Sequence, residues 1–302
     1  MSELINNQSM RIQTLKEVIL HLHRGEAPEA VKERLKGLVA EVDPAEIAAM
    51  EQQLMADGMS ADEVRAMCDM HAEVLKEVSA RPCPSMPLPP GHPVSQFRAE
   101  NAALLEAAAR VREAAAGLGA LEDRSTPGEA RLALLEALQP VMDVEKHYRR
   151  KEHLVFSVLE RHGNTGPSKV MWGKDDEVRE LLKATQLALR EETLCGEELK
   201  ILAATCLEPA LAALEGMVYK EENILLPMCL GLFTEEEWGE IWSQSPEYGW
   251  CLVEPGNGYL PPAAVPDTTA VTLPGSQTVA FPSGSLSPAQ LAAMFSTLPV
   301  DI

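Results

Sequence analysis

His147-Tyr148-Arg149-Arg150-Lys151-Glu152-His153-Leu154-Val155-Phe156 lies inside a long helical pattern that reads Leu134, Leu135, Leu138, Val141, Val144, His147 or Tyr148, then Val155, Val158 and Leu159. Apolar residues at steps of three and four predict an amphipathic helix. Pro140 is expected to kink it a turn or two before the histidine. His147 and Glu152, five residues apart beside this stripe, can project into a bundle core from neighbouring turns. A weaker echo follows in Met217-Val218-Tyr219-Lys220-Glu221-Glu222-Asn223-Ile224-Leu225-Leu226-Pro227. Aligning Glu152 with Glu222 sets Phe156 against Leu226 and His147 against Met217. Two long helices thus each carry an acidic turn just before an apolar cluster, and helical bundles build metal sites from inward carboxylates and histidines in this way.

Composition narrows the function classes. At 302 residues the chain has room for two modest domains, or for one with extensions. Its 46% hydrophobic content supports a core, and its 4% aromatic content suits Ala/Leu-rich helices. A net charge of −20 argues against nucleic-acid binding, which needs a basic footprint. No apolar run approaches membrane-spanning length, and Glu3, Arg11 and Lys16 interrupt any signal-peptide pattern, so a cytoplasmic protein without membrane attachment is expected. The six cysteines are scattered without a CxxC pair, which suggests neither a disulfide framework nor a zinc ribbon.

Residues 1–80 read as a small helical domain. Ile12, Leu15, Val18, Ile19 and Leu22 form one face, and Val31, Leu35, Leu38 and Val39 a second. Asp43-Pro44-Ala45-Glu46 and the capping box Ser60-Ala61-Asp62-Glu63 start two further helices, separated by Gly58. On the last of these, Cys68 and His71 share a face. They could ligate a metal or haem iron together, or form a buried thiol beside a core histidine. Prolines 82, 84, 87, 89 and 90 make residues 81–91 a stiff connector.

Residues 92–252 carry four long helical patterns. His92 precedes Pro93 at the first helix start, either as a cap or leaning over the open end of the bundle, and Glu100 lies about two turns further on. Thr126-Pro127-Gly128-Glu129 opens the His147 helix, which ends near His162-Gly163. In the third pattern, Asp175-Asp176-Glu177 is either a solvated first turn or has Asp175 facing inward with Val178 and Leu182. The fourth runs through Leu211, Leu214, Met217 and Ile224 to Leu230, with a break expected at Pro209. Glu221 lies on its apolar face, and Glu222 lies beside it or at its edge. Thr234-Glu235-Glu236-Glu237 caps a short helix through Trp238 and Ile241. Residues 253–302, rich in Pro, Gly, Ser, Thr and Ala, are expected to be a disordered linker that ends in a short helical pattern and leads to an absent domain.

His92-Pro-Val-x-x-Phe-x-x-Glu100-Asn, His147-Tyr-x-Arg-Lys-Glu152, Gly166-Pro-x-Lys-Val-Met-Trp172-x-x-Asp-Asp-Glu and Met217-x-x-Lys-Glu221-Glu222-x-Ile-Leu-x-Pro227 together resemble the hemerythrin-like, HHE cation-binding domain. Cys68-Asp-Met-His71-Ala is similar to the signature of the helical DUF438 domain that precedes one variant of it. Leu298-Pro-Val-Asp-Ile302 resembles the lead-in to a PAS sensor domain. The resemblance implies an all-α, up-down four-helix bundle behind a small helical domain, with a non-haem di-iron site that binds dioxygen or senses a related molecule such as nitric oxide. Carried over by position, His147, Glu152 and Glu222 are ligands, Glu221 is the neighbouring acid, and Asp175 or Asp176 stands where a third-helix ligand is expected. The chain departs from that pattern at Asn101 and Met217, where histidines are expected, and at Lys151, where an acid is.

Several outcomes therefore stand open. A carboxylate-rich site would use Glu100, Glu152, Asp176, Glu221 and Glu222 with His92 and His147 to hold iron or manganese. His71 or Cys68 could close that site or hold haem. Alternatively, Arg150, Lys151 and Lys220 neutralise the acids in a cofactor-free network. The corresponding functions are a cytoplasmic metal-binding sensor with a homodimeric or signalling partner, a di-metal redox enzyme, and a plain interaction module.

Overall fold

The computed structural model describes residues 13, 14, 17, 50, 52–60, 63–64, 88–262, 279–281 and 284–287. Cys68, His71, most of the N-terminal helical faces and the terminal pattern from Leu291 to Leu298 lie outside the described residues. Within the N-terminal region the Ser60 capping box is formed: Ser60 N–H donates to Glu63 Oε2 at 2.8 Å, and Glu63 N–H donates to Ser60 Oγ at 3.2 Å. Gly58, at φ +101°, turns the chain just before it.

The fold is all-α over the bundle. Helix α1 (Pro93–Ala115) starts with Pro93 in the first turn, where a missing N–H loses no bond, and His92 Nδ1 accepts from Val94 N–H at 3.2 Å. Helix α2 (Gly128–Val141) has no side-chain cap, so Thr126 does not play the part its position suggests. Pro140 interrupts the hydrogen-bond ladder and the helix stops one residue later, so the expected kink is a break. Helix α3 (Val144–Arg150) restarts after it, passes through a π turn at Lys151–Val155 and continues as α4 (Phe156–Arg161). Helix α5 (Gly166–Leu189) begins well before the triple acid, which is therefore mid-helix: Asp175 is buried, while Asp176 and Glu177 are exposed.

The fourth bundle helix is α6 (Gly196–Leu202), α7 (Glu208–Lys220) and α8 (Leu226–Leu232), joined by π turns at Ala203–Leu207 and Glu221–Leu225. Pro209 and Pro227 each follow one of these turns by two residues. A π turn already shifts the hydrogen-bond register, so a proline that lacks an N–H is absorbed without ending the helix. Gly196–Leu232 is long enough to cross a membrane, and an 18-residue window within it has a mean hydropathy of 1.5. Here its apolar face, including Leu207, Leu211, Leu214 and Leu225, packs in the bundle core. Helix α1 packs on α2 and α7, and α5 closes the other side against the same two. Leu104 and Ala108, Leu134 and Leu138, Val178 and Leu182 fill the space between.

Helix α9 (Glu235–Tyr248) carries the expected capping box, with Glu237 N–H donating to Thr234 Oγ1 at 3.3 Å, and ends at Gly249 with φ +81°. The residues after it do not leave the bundle, as their composition suggests they should. Gln96 Nε2 donates to Val253 O at 2.6 Å, Gly258 N–H donates to Pro90 O at 2.9 Å, and the Tyr259 ring stands edge-on to His92 at 4.8 Å. The compact unit accordingly extends to Leu260. In the second unit, β1 (Val279–Phe281) pairs antiparallel with β2 (Gly284–Leu286), so the predicted linker contains a short hairpin.

Gly91 fixes the docking of this C-terminal segment. It sits at φ +92°, and a Cβ there would stand 2.0 Å from the carbonyl oxygen of Gly256. Both the left-handed backbone and the close approach require glycine. Gly91→Ala is expected to lower stability by about 2 kcal/mol through strain and forced separation. Urea unfolding measures it, and an unchanged midpoint would show that the segment is not held at this point.

Candidate functional site

Every bundle helix sends one or more charged side chains to the middle of the core, where they alternate in sign. Glu100 comes from α1, His147 and Arg150 from α3, Lys151 from the π turn after it, Asp175 from α5, and Glu221 from the π turn after α7. All are at most 2% exposed. Glu100 Oε2 lies 2.8 Å from His147 Nδ1 and also accepts from Arg150 Nη2. The other nitrogen of His147, Nε2, lies 2.9 Å from Glu221 Oε2. Glu221 Oε1 accepts from Lys151 Nζ, which donates in turn to Asp175 Oδ1 at 2.8 Å. The result is a ladder running Arg150, Glu100, His147, Glu221, Lys151, Asp175.

Local structure explains how one helix supplies three of its rungs. His147 and Lys151 are four apart and face the same way in an α-helix. The π turn then carries the next residue, Glu152, around to Arg179. The echo in the sequence has the same backbone: Lys151-Glu152 and Glu221-Glu222 each open a π turn, and in each the first residue enters the ladder while the second turns to the rim. Aromatic rings wall the ladder. Phe97 is edge-on to His147 at 4.9 Å, Arg150 lies over Phe97 and Trp250 at 4.8 and 4.6 Å, and Lys151 lies 4.3 Å from the centre of the Tyr148 ring.

The electrostatics follow from burial and alternation. Burial alone would raise the Glu221 carboxyl, but Lys151 and His147 on either side hold it down at about 2. For Glu100 the effect of burial is likewise overcome, by His147 and Arg150, and its pKa is lowered. Burial disfavours a charged His147, yet Glu221 and Glu100 at its two nitrogens raise its pKa, which favours the imidazolium. Lys151 is raised by Asp175 and Glu221 against the same burial. Asp175 is pushed well above the carboxylate range by burial, with Glu221 adding to the effect of burial and Lys151 opposing it.

The remaining candidates lie around this ladder. Glu152 forms a two-pronged pair with Arg179 at 2.7 and 2.8 Å, and Arg179 also holds the exposed Asp176 at 2.9 Å. Glu222 bonds Asn101 Nδ2 at 3.0 Å and Arg98 Nε at 3.2 Å. His92 stands at the end of the bundle between Trp238 and Tyr259, its pKa lowered to about 4 by burial, and is neutral at pH 7. Lys220, a candidate neutralising cation, is buried at the end of α7. Gln96, Arg179 and Cys251 are additional participants that sequence patterns did not single out. Gln96 Nε2 donates to Glu100 Oε1 at 2.9 Å, and Cys251 N–H donates to the same oxygen at 3.1 Å. Gln96 at four residues from Glu100, and Arg179 at three from Asp176, could have been found by helical spacing. The backbone of Cys251 has no sequence signal.

Residues 92–229 match the family model of the Hemerythrin HHE cation binding domain, and residues 15–80 match a family of unknown function, DUF438. No curated protein matches the chain. The first match supports cation binding at the level of the family, iron being the metal such domains typically hold.

Among the described residues, the donor set does not fit a di-iron centre. Both nitrogens of its one central histidine are taken by carboxylates on opposite sides of the ring, and the acids are taken by Lys151, Arg150, Arg179 and Arg98. Among the described residues, the unpartnered buried polar atoms near the ladder are Asp175 Oδ2, Asn101 Oδ1, Tyr148 Oη, and Nε and Nη1 of Arg150, with no histidine nitrogen. Among the described residues, too, no three His, Cys, Asp or Glu side chains converge as a metal ion would require. Four helices with one charged rung or more from each, and two family matches in chain order, give residues 92–229 as a Hemerythrin HHE cation binding domain behind a DUF438 region over residues 15–80.

Proposed function

We propose that the protein is a cytoplasmic sensory module in which the state of the buried ladder is read out by the segment that follows the last helix. One observation carries this reading: Glu100 Oε2 is held by His147 and Arg150, while its Oε1 accepts the N–H of Cys251, the third residue after α9. A change of charge or partner at the ladder must alter what Glu100 offers to Cys251. Gln96 reinforces the link, since it bonds both Glu100 and Val253 O. The C-terminal segment is therefore attached to the charged centre by hydrogen bonds rather than by apolar packing alone.

Amide hydrogen exchange tests the link. In Glu100→Gln the carboxylate charge is lost while a similar shape remains, and exchange at 251–259 is expected to quicken by about tenfold, the effect of losing one charge-assisted bond. Exchange in α2 and α5 should change less. Unaltered exchange at 251–259, in a variant whose ladder is demonstrably weakened, would remove the basis for a sensor. It would favour a second reading, a cofactor-free interaction module, which the self-neutralising ladder also supports.

A further inference from the structure

We infer that Lys151 is a built-in cation: its ammonium group substitutes for a metal ion between Asp175 and Glu221, so the bundle folds without metal, and removing that ammonium opens a divalent-cation site. Three observations converge on this residue. Lys151 Nζ bridges carboxylates from two other helices, at 2.8 Å to Asp175 and in contact with Glu221. It is 1% exposed, and no water shell can replace those partners. Asp175 Oδ2 beside it is buried without a hydrogen-bond partner, so oxygen capacity at this point exceeds what one ammonium uses. The two-carboxylate, oxygen-rich environment left by deleting the side chain has the character that manganese and similar hard ions select.

The alternation of the ladder explains why a metal is excluded while Lys151 is present. A divalent ion placed between Asp175 and Glu221 would lie in contact with the ammonium and within one ring of an imidazolium, in a medium where charges act strongly. Arg150 plays the same part for Glu100, which it contacts from the far end of the ladder. The chain thus supplies its own cations to the buried acids at both points.

Two measurements decide the matter. The wild-type full chain, produced with iron in the medium, is analysed for bound metals, and its urea midpoint is recorded before and after dialysis against a chelator. The expected result is substoichiometric metal and an unchanged midpoint. Manganese(II) binding is then followed by its paramagnetic resonance signal in wild type, in Lys151→Ala, in the shape-preserving Lys151→Met and in the exposed control Lys183→Ala. Lys151→Ala, which removes both the charge and the side chain that fills the position, is expected to bind at least about tenfold more tightly than wild type and to gain stability with added manganese. The Met and control variants should not. Firmly held iron in the wild type, whose removal lowers the midpoint, overturns the inference. So does a folded Lys151→Ala that binds no more tightly than wild type. If the alanine variant does not fold, the wild-type metal content and chelator test decide alone.

Discussion

Glu221→Ala is expected to lower the stability of the bundle by about 3–5 kcal/mol, the penalty typical of removing one partner from a buried ion network. Glu221 is 1% exposed and stands between two cations, His147 and Lys151. Its loss leaves both facing each other across an apolar cavity, and burying an uncompensated charge is far more damaging than losing the bond itself. Glu221→Gln should be milder, because the amide oxygen can still accept one hydrogen bond. The next residue provides the internal control. Glu222 also opens the π turn and also pairs with a cation, Arg98, yet its side chain is 29% exposed. Glu222→Ala should therefore change stability by no more than about 1 kcal/mol, as for exposed pairs generally. Urea titrations of the variants make the comparison, and equal losses at 221 and 222 would contradict the ladder as drawn.

The difference between those neighbours also shows where sequence reading stops. Helical periodicity finds the bundle, because Leu104, Leu134, Val178 and Leu214 repeat at the spacing that a buried stripe needs. It finds the helix starts where a side chain makes the cap, at Ser60, His92 and Thr234. It fails at Thr126, where proline and glycine permit the start without a cap bond, and at Pro209, where a π turn takes up the missing hydrogen bond. The acids of the centre are legible as types, and their partners are not. Whether Glu152 meets a metal or Arg179, and whether Glu221 meets a metal or Lys151, depends on a one-residue π insertion that rotates everything after it. Residues 253–260 depart from the linker expected of them for a different reason: a stretch poor in charge and rich in proline and glycine has the composition of a linker, but Gly91, Gly256 and Gly258 let it lie against the backbone at Pro90.

The same ladder should give the protein a stability maximum in mildly acidic solution, with a loss of about 3 kcal/mol on the acid side traceable to Glu221 alone. An ordinary glutamate titrates near 4.5, and Glu221 in the fold titrates at about 2. Its contribution is complete above about pH 4.5 and disappears as the pH falls from there toward 2, a span worth about 3 kcal/mol at 1.36 kcal/mol per pH unit. Glu100, also lowered, loses its contribution in the same direction. His147 behaves oppositely. Its pKa is raised above the usual 6.5 by the two carboxylates, so its contribution is complete below 6.5 and is lost as the pH rises through the higher folded value. Asp175, which holds its proton above the usual 3.8, likewise adds stability below that value and loses it with rising pH, so it draws the maximum toward the acid end of the range. The carboxylate and imidazolium contributions are complete together only between about 4.5 and 6.5. Urea midpoints measured from pH 3 to pH 9 should peak in that window. In Glu221→Gln the acid limb should flatten, because the group that titrates there is gone, while the alkaline limb should persist. An acid limb of equal steepness in that variant would assign the acid sensitivity to carboxylates elsewhere, and Glu221 would then not be the charged group on which His147 and Lys151 depend.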